Sequence, residues 1–354
     1  MKRLAMIGCG LMGESHLDNL MKLGDAGFEF VGFCDVAAER AEYFANKCGS
    51  GKAYADYKTM YDEAKPDMVY ICAPPYVRGE AEFESIERGI HMFVEKPIAL
   101  DLKLAREIRD RIAACNIITA VGFQCRYDNI NDAAKDYVKN NPIAIAQGSR
   151  IGGIPEAVWW NKKPLSGGQL VEQSIHQIDI ARYLLGEADT VYSVARRGIV
   201  SDVESPGYAT DDISTSVITF VSGVSFTFTT GCYSTNGASW NSRMTFGSRS
   251  SRLEYRLLSN VTIYGLINED LAARAEGVIK GDGTQRRNED EVGVRIDSNV
   301  DVGVVCDRTF VDAVVTGDGS MIRSPYADAV NTLAITLACN ESMATGRPVK
   351  IEIG

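Results

Sequence analysis

The chain has 354 residues, 45% of them hydrophobic, 24% charged and 8% aromatic, a globular usage that excludes wholesale disorder and suggests about two domains. With 37 Lys and Arg against 47 Asp and Glu, the formal charge is −10, and no dense basic run points to nucleic acid or an anionic membrane. No apolar run reaches the roughly 18 residues of a spanning helix, and the opening Met1–Gly8 reads into a strand instead of a signal peptide. Nine scattered Cys without a CxxC pair fit reduced thiols in a cytoplasm better than disulfides or a zinc site.

In chain order, short apolar runs predict strands at Leu4–Gly8, Phe28–Asp35, Met68–Ala73, His91–Glu95 and Ile117–Phe123. Helical patterns at Arg40–Lys47, Glu80–Arg88 and Leu102–Ala114 alternate with them, so the first 125 residues read as βαβ units on a parallel, doubly wound sheet. Residues 126–354 read as a second α/β domain with a large, mostly antiparallel open sheet. Its strands are expected at Ile143–Arg150, Val191–Arg197, Ser214–Val221, Val224–Thr230, Ser242–Phe246 and Leu253–Leu257, with a hairpin turn at Ser222-Gly223. A helix is expected over Glu172–Leu185, a long polar loop over 277–305, and two terminal helices, Asp307–Thr316 and Tyr326–Thr345, packing back on the first domain. Few helices cover the antiparallel sheet, so one face calls for a partner copy and a homodimer or homotetramer.

Gly8-Cys9-Gly10-Leu11-Met12-Gly13 is a GxGxxG turn between the first strand and a helix. Gly8 permits the tight turn, Gly10 lets backbone approach a pyrophosphate, and Gly13 allows close helix–strand packing, with the helix N-terminus facing the anion. Asp35 ends the second strand, where its carboxylate accepts from ribose hydroxyls and repels a 2′-phosphate, so NAD is expected before NADP.

Glu95-Lys96-Pro97 follows the fourth strand, and Gly167-Gly168 precedes His176-Gln177-Ile178-Asp179. With the glycine turn and the terminal Gly346-Arg347-Pro348, this order resembles the glucose–fructose oxidoreductase/inositol dehydrogenase (Gfo/Idh/MocA) family nearly end to end. The resemblance implies a Rossmann domain, an α/β domain whose open sheet mediates assembly, and reversible NAD(P)-dependent oxidation of a secondary hydroxyl on a sugar or cyclitol. It also implies cofactor contacts at Ala73, Pro74, Glu95 and Lys96. Two positions depart from the family: Glu172 stands where Asp is usual, and Arg78 stands where His is usual.

On the 172–185 pattern, Glu172, His176, Asp179 and Tyr183 fall on one helical stripe. His176 is the candidate general base, with Asp179 or Glu172 to orient its ring. Lys96, just past a parallel strand's C-terminal end, is the candidate to hold the substrate hydroxyl and stabilise developing negative charge. Trp159 and Trp160 offer faces for sugar stacking, or else core packing, and Gln124, Arg126 and Tyr127 follow the fifth strand within reach of substrate. Cys125, His16 and His91 read as packing residues, and no metal-ligand spacing appears. Two other uses of these residues stay open: a redox-cycling glycoside enzyme with tightly held NAD, and a non-catalytic NAD- or sugar-binding regulator.

Overall fold

The computed structural model describes residues 1–201, 205–265, 277–280 and 292–354. They form two compact units, Met1–Tyr127 with Asp301–Leu333 and Gly354, and Asp128–Val300 with Ala334–Ile353.

The first unit carries a six-stranded, all-parallel sheet. Its strands are β1 (Lys2–Ile7), β2 (Phe28–Cys34), β3 (Lys52–Tyr54), β4 (Met68–Ile71), β5 (His91–Val94) and β6 (Thr119–Val121), in the order β3-β2-β1-β4-β5-β6. β4 and β6 are buried along their whole length, as strands covered on both faces must be. Helices α1 (Leu11–Lys22), α2 (Ala38–Cys48), α3 (Tyr57–Ala64), α4 (Glu80–Glu87) and α5 (Leu102–Ala113) alternate with the strands. The Asp56 and Asp101 side chains accept from the amides of Thr59 and Leu104, so α3 and α5 begin at those caps. A helix at Val302–Thr316 adds Phe310, Val311 and Val314 to the core built on Leu4, Met6, Leu17 and Leu20. It starts five residues before the expected Asp307, because the Asp301 side chain caps it by accepting from Val304 N. The expected strands are found, each ending at or before its last expected residue: Gly8, Asp35, Ala73 and Glu95 lie just beyond strand ends, at the sheet's carboxyl edge. β3 escapes a sequence reading because three half-polar residues carry no period.

The second unit carries a ten-stranded sheet. The strands are β7 (Ile145–Gly152), β8 (Ala188–Arg196), β9 (Ile213–Phe220), β10 (Ser225–Cys232), β11 (Trp240–Gly247), β12 (Arg252–Arg256), β13 (Asn260–Tyr264), β14 (Gly277–Lys280), β15 (Val292–Asp297) and β16 (Val349–Lys350). Their order is β14-β15-β13-β12-β11-β7-β10-β9-β8-β16, and β7–β10 is its parallel pair among antiparallel neighbours. Along β9 the residues Ser214, Ser216, Ile218 and Phe220 are buried while Thr215 and Val217 are exposed, the period of a sheet with one covered face. At Ser222-Gly223 the amide of Phe220 donates to Val224 O across the turn, and Gly223 takes φ 86°.

Two expectations need correction here. Residues 277–305 are not one loop: they include β14, β15 and the start of the 302–316 helix, while 281–291 lie outside the described residues. The helix expected over Glu172–Leu185 is two pieces, α6 (Gln169–Glu172) and α7 (Ile175–Leu185). Beside the break the Ser174 hydroxyl is bonded to that of Thr230 on β10.

Candidate functional site

In the first unit the glycine turn has the geometry that its spacing requires. A Cβ at Gly8 would stand 2.7 Å from the backbone of Cys72 and Ala73, at φ +89°, and one at Gly13 would stand 2.1 Å from Gly8 O. At Gly10 a Cβ would meet nothing within 4 Å, so the space over the turn is open. Gly10 caps α1 with no side-chain hydrogen bond, leaving first-turn amides directed to that space. The Asp35 Oδ2 accepts from Cys9 N at 2.7 Å and Oδ1 accepts from Ala37 N at 2.9 Å, which fixes the carboxylate at the end of β2. Leu11 and Met12 are exposed, whereas the Cys9 side chain is buried and its thiol pKa is pushed up, chiefly by burial. Open backbone over Gly10, an uncapped helix start and a fixed carboxylate suit a dinucleotide. Arg40 donates to Cys9 O at 2.8 Å and to Glu14 Oε2 at 3.0 Å, so its guanidinium braces the turn.

Lys96, half-buried, follows β5 at the same edge, and the Lys96–Pro97 peptide is cis. β5 lies two strand spacings from β1, about 10 Å. Glu95, read from sequence as a cofactor contact, turns inward: Oε2 accepts from Lys96 N at 3.0 Å and Oε1 lies 3.0 Å from His16 Nε2. Ala73 and Pro74 are half-buried beside the glycine turn. Arg78, at the departure from the family pattern, is buried and donates to Ile71 O at 2.6 Å beside Glu82, so it supports the end of β4. Gln124 is half-buried near Asn19, both bordering Gly303. Arg126 and Tyr127 are buried. Arg126 donates to Arg323 O at 2.7 Å and pairs with Asp328 at 2.6 Å, and the Tyr127 hydroxyl accepts from Arg323 N at 3.1 Å. Their polar atoms hold the segment before the 326–345 helix, contrary to the substrate contacts read from sequence.

In the second unit His176 is half-buried in the first turn of α7. Asp179, at i+3, is buried, and Tyr183 is half-buried. Glu172, on separate α6, is also buried: its Oε2 accepts from Trp160 Nε1 at 2.8 Å and from Gln173 Nε2 at 2.5 Å. Trp160 is 1% exposed and leans on Tyr208, so it is the packing alternative and not a stacking face, while Trp159 is half-buried. Arg150, at the end of β7, donates to Cys232 Sγ and to Gln173 Oε1 at 3.0 Å each, tying the sheet to the residues before His176.

The polar cluster that sequence reasoning missed is His16 with Asp307, Nδ1 to Oδ1 2.7 Å. The two lie 291 residues apart, beyond any local period. Among the described residues no group of three His, Cys, Asp or Glu could hold a metal ion, and no disulfide joins any of the nine Cys. No described helix is long and apolar enough to cross a membrane.

The sequence patterns described as "Oxidoreductase family, NAD-binding Rossmann fold" and "Oxidoreductase family, C-terminal alpha/beta domain" match residues 2–123 and 147–351. Similar proteins include the myo-inositol 2-dehydrogenase of Thermotoga maritima, 30% identical over 62% of this chain and 66% of that protein. The scyllo-inositol 2-dehydrogenase (NAD(+)) of Bacillus subtilis is 31% identical over 62% and 64%, and the D-glucoside 3-dehydrogenase of Escherichia coli is 30% identical over 52% and 54%. The matches thus span between about half and two thirds of these relatives' lengths. A solved levoglucosan dehydrogenase, in complex with NADH and levoglucosan, shares the fold at TM-score 0.81 and 19% identity over 100% of both chains. An NAD binding oxidoreductase from Klebsiella pneumoniae does so at 0.81 and 19% over 99% of each. The two consecutive matches cover most of the sequence, and the chain belongs to the Gfo/Idh/MocA oxidoreductase family.

Proposed function

We propose that the chain is an NAD-dependent dehydrogenase that reversibly oxidises a secondary ring hydroxyl of a sugar, glycoside or inositol-like polyol. The observation that carries this reading is the shared carboxyl edge of one parallel sheet: the open Gly8–Gly13 turn, the fixed Asp35 carboxylate and Lys96 all stand along it. Gly8–Gly13 and Asp35 hold the dinucleotide, with Ala73, Pro74 and Lys96 beside it. Bound NAD supplies the hydride acceptor. His176 takes the hydroxyl proton, and the Lys96 ammonium orients the oxygen and stabilises its developing charge. Asp179 tunes His176, and Gln124 and Trp159 shape the substrate side. Inositol and glucoside dehydrogenases among the relatives support the substrate class. The carboxylate of Asp35 supports NAD over NADP. Nine cysteines with no disulfide among them support a reducing compartment, the cytoplasm, and the outward apolar residues of the large sheet support a homodimer or homotetramer.

The test is absorbance at the reduced-nicotinamide band with NAD and a panel of cyclitols, free sugars and glycosides. Reduction with at least one ring polyol is expected. Tight NAD binding with no reduction across the panel would favour the regulator.

A further inference from the structure

We propose that the buried chain Asp307–His16–Glu95 is a positioning device for Lys96, with His16 and Glu95 as positioning residues; this rests on the reaction proposed above. Glu95 is the residue immediately before Lys96; it is 4% exposed, and its carboxylate is folded back into the unit. There Oε2 accepts from the amide of Lys96 at 3.0 Å, while Oε1 faces His16 Nε2 at 3.0 Å. The far ring nitrogen, Nδ1, lies 2.7 Å from Asp307 Oδ1, and Asp307 Oδ2 accepts from Asn19 Nδ2 at 2.9 Å. The chain therefore runs from the 302–316 helix, through α1 just behind the glycine turn, to the backbone of Lys96.

The surroundings are shaped around it. A Cβ at Gly122 would fall 2.1 Å from Glu95 Oε1, and one at Gly303 would fall 2.7 Å from Asn19 Nδ2, so two glycines make room for the polar groups. The rings of Phe93 and Tyr70 stand 4.9 and 5.5 Å from that of His16 and exclude water. A neutral imidazole has one N–H and would set its other nitrogen lone pair against a carboxylate; the imidazolium donates to both. Burial alone would discharge His16, but Asp307 and Glu95 outweigh it and raise its pKa to about 10. The result is a carboxylate fixed under the Lys96 amide. That fixes the point from which the Lys96 side chain leaves the sheet edge.

The test is a double-mutant cycle. Glu95→Gln, which keeps shape, and His16→Asn are each made alone and with Lys96→Ala, and single-turnover NAD reduction, NAD affinity and thermal unfolding are measured. Alone, each is expected to lower turnover roughly 10–100-fold, the usual worth of a group that orients another, with NAD affinity within about twofold. On Lys96→Ala, neither should lower it further, since they act through that residue. Full, additive losses on Lys96→Ala, or wild-type turnover in both single variants, would overturn the inference. If His16→Asn fails to fold, Glu95→Gln carries the cycle alone. Wild-type turnover in Lys96→Ala would instead overturn the role given to Lys96, and no NAD reduction by the wild type would overturn the dehydrogenase reading itself.

Discussion

The Asp35 carboxylate is bonded to the amide of Cys9, Oδ2 to N at 2.7 Å, so the residue proposed to meet the ribose also shapes the turn proposed to meet the phosphates. NADP would bring a second anion against this fixed charge. Catalytic efficiency is therefore expected to favour NAD by at least about tenfold, and Asp35→Ser should narrow the gap while loosening the turn. Equal or better use of NADP by the wild type would contradict this.

Gly10 and Gly13 separate binding from folding. Nothing lies within 4 Å of a Cβ at Gly10, so Gly10→Ala should leave the thermal midpoint nearly unchanged and weaken NAD by tenfold or more, because the methyl occupies the approach to the phosphates. Gly13→Ala would put a methyl 2.1 Å from Gly8 O, so it should lower both NAD affinity and the thermal midpoint. Calorimetric titration beside thermal melts distinguishes the two.

The His16 pair gives a pH dependence with a definite sign. Burial works to lower the His16 pKa, but Asp307 and Glu95 raise it to about 10, above the ordinary 6.5. The groups facing it are Asp307 from the 302–316 helix and Glu95 after β5, with Tyr70 and Phe93 as walls. Between those two values the native state holds a proton that the unfolded chain releases, so stability falls as pH rises. This contribution is complete below about 6.5 and is lost through about 10. The thermal midpoint should drop from pH 7 to 10.5 more steeply in the wild type than in His16→Asn; equal slopes would refute the pairing.

Much of this was legible from residue order. The doubly wound half announces itself through buried apolar strands, and the Gly8, Gly10 and Gly13 spacing states a steric requirement that the Cβ distances meet. What sequence could not show is long-range. The His16–Asp307 bond joins opposite ends of the chain, and the Ser174 hydroxyl, beside the break between the two helices, meets that of Thr230 from β10. Trp160 and Glu172 illustrate the same limit. Either alone looks like a pocket residue, yet their 2.8 Å bond puts both in the core. Arg126 looks available until Asp328 takes its charge.

The open sheet makes a separate claim on assembly. On the face opposite buried Ile218 and Phe228, neighbouring strands expose Tyr192 and Val194 of β8 and Val217 of β9, and Tyr192 is paired in register with Val217. A dimer or tetramer is expected by light scattering at micromolar concentration. Val217→Lys should shift it toward monomer with the fold intact by circular dichroism. A wild-type monomer would remove this proposal.

His176→Ala, read by steady-state turnover with a reactive polyol and by separate NAD titration, tests the proposed chemistry most directly. A positioned proton acceptor is worth roughly 10²–10⁴-fold. Turnover should fall by that factor while NAD affinity stays within about twofold, since the residues proposed to hold the nucleotide are Gly8–Gly13 and Asp35. Wild-type turnover in His176→Ala would contradict the assignment of His176 as the base.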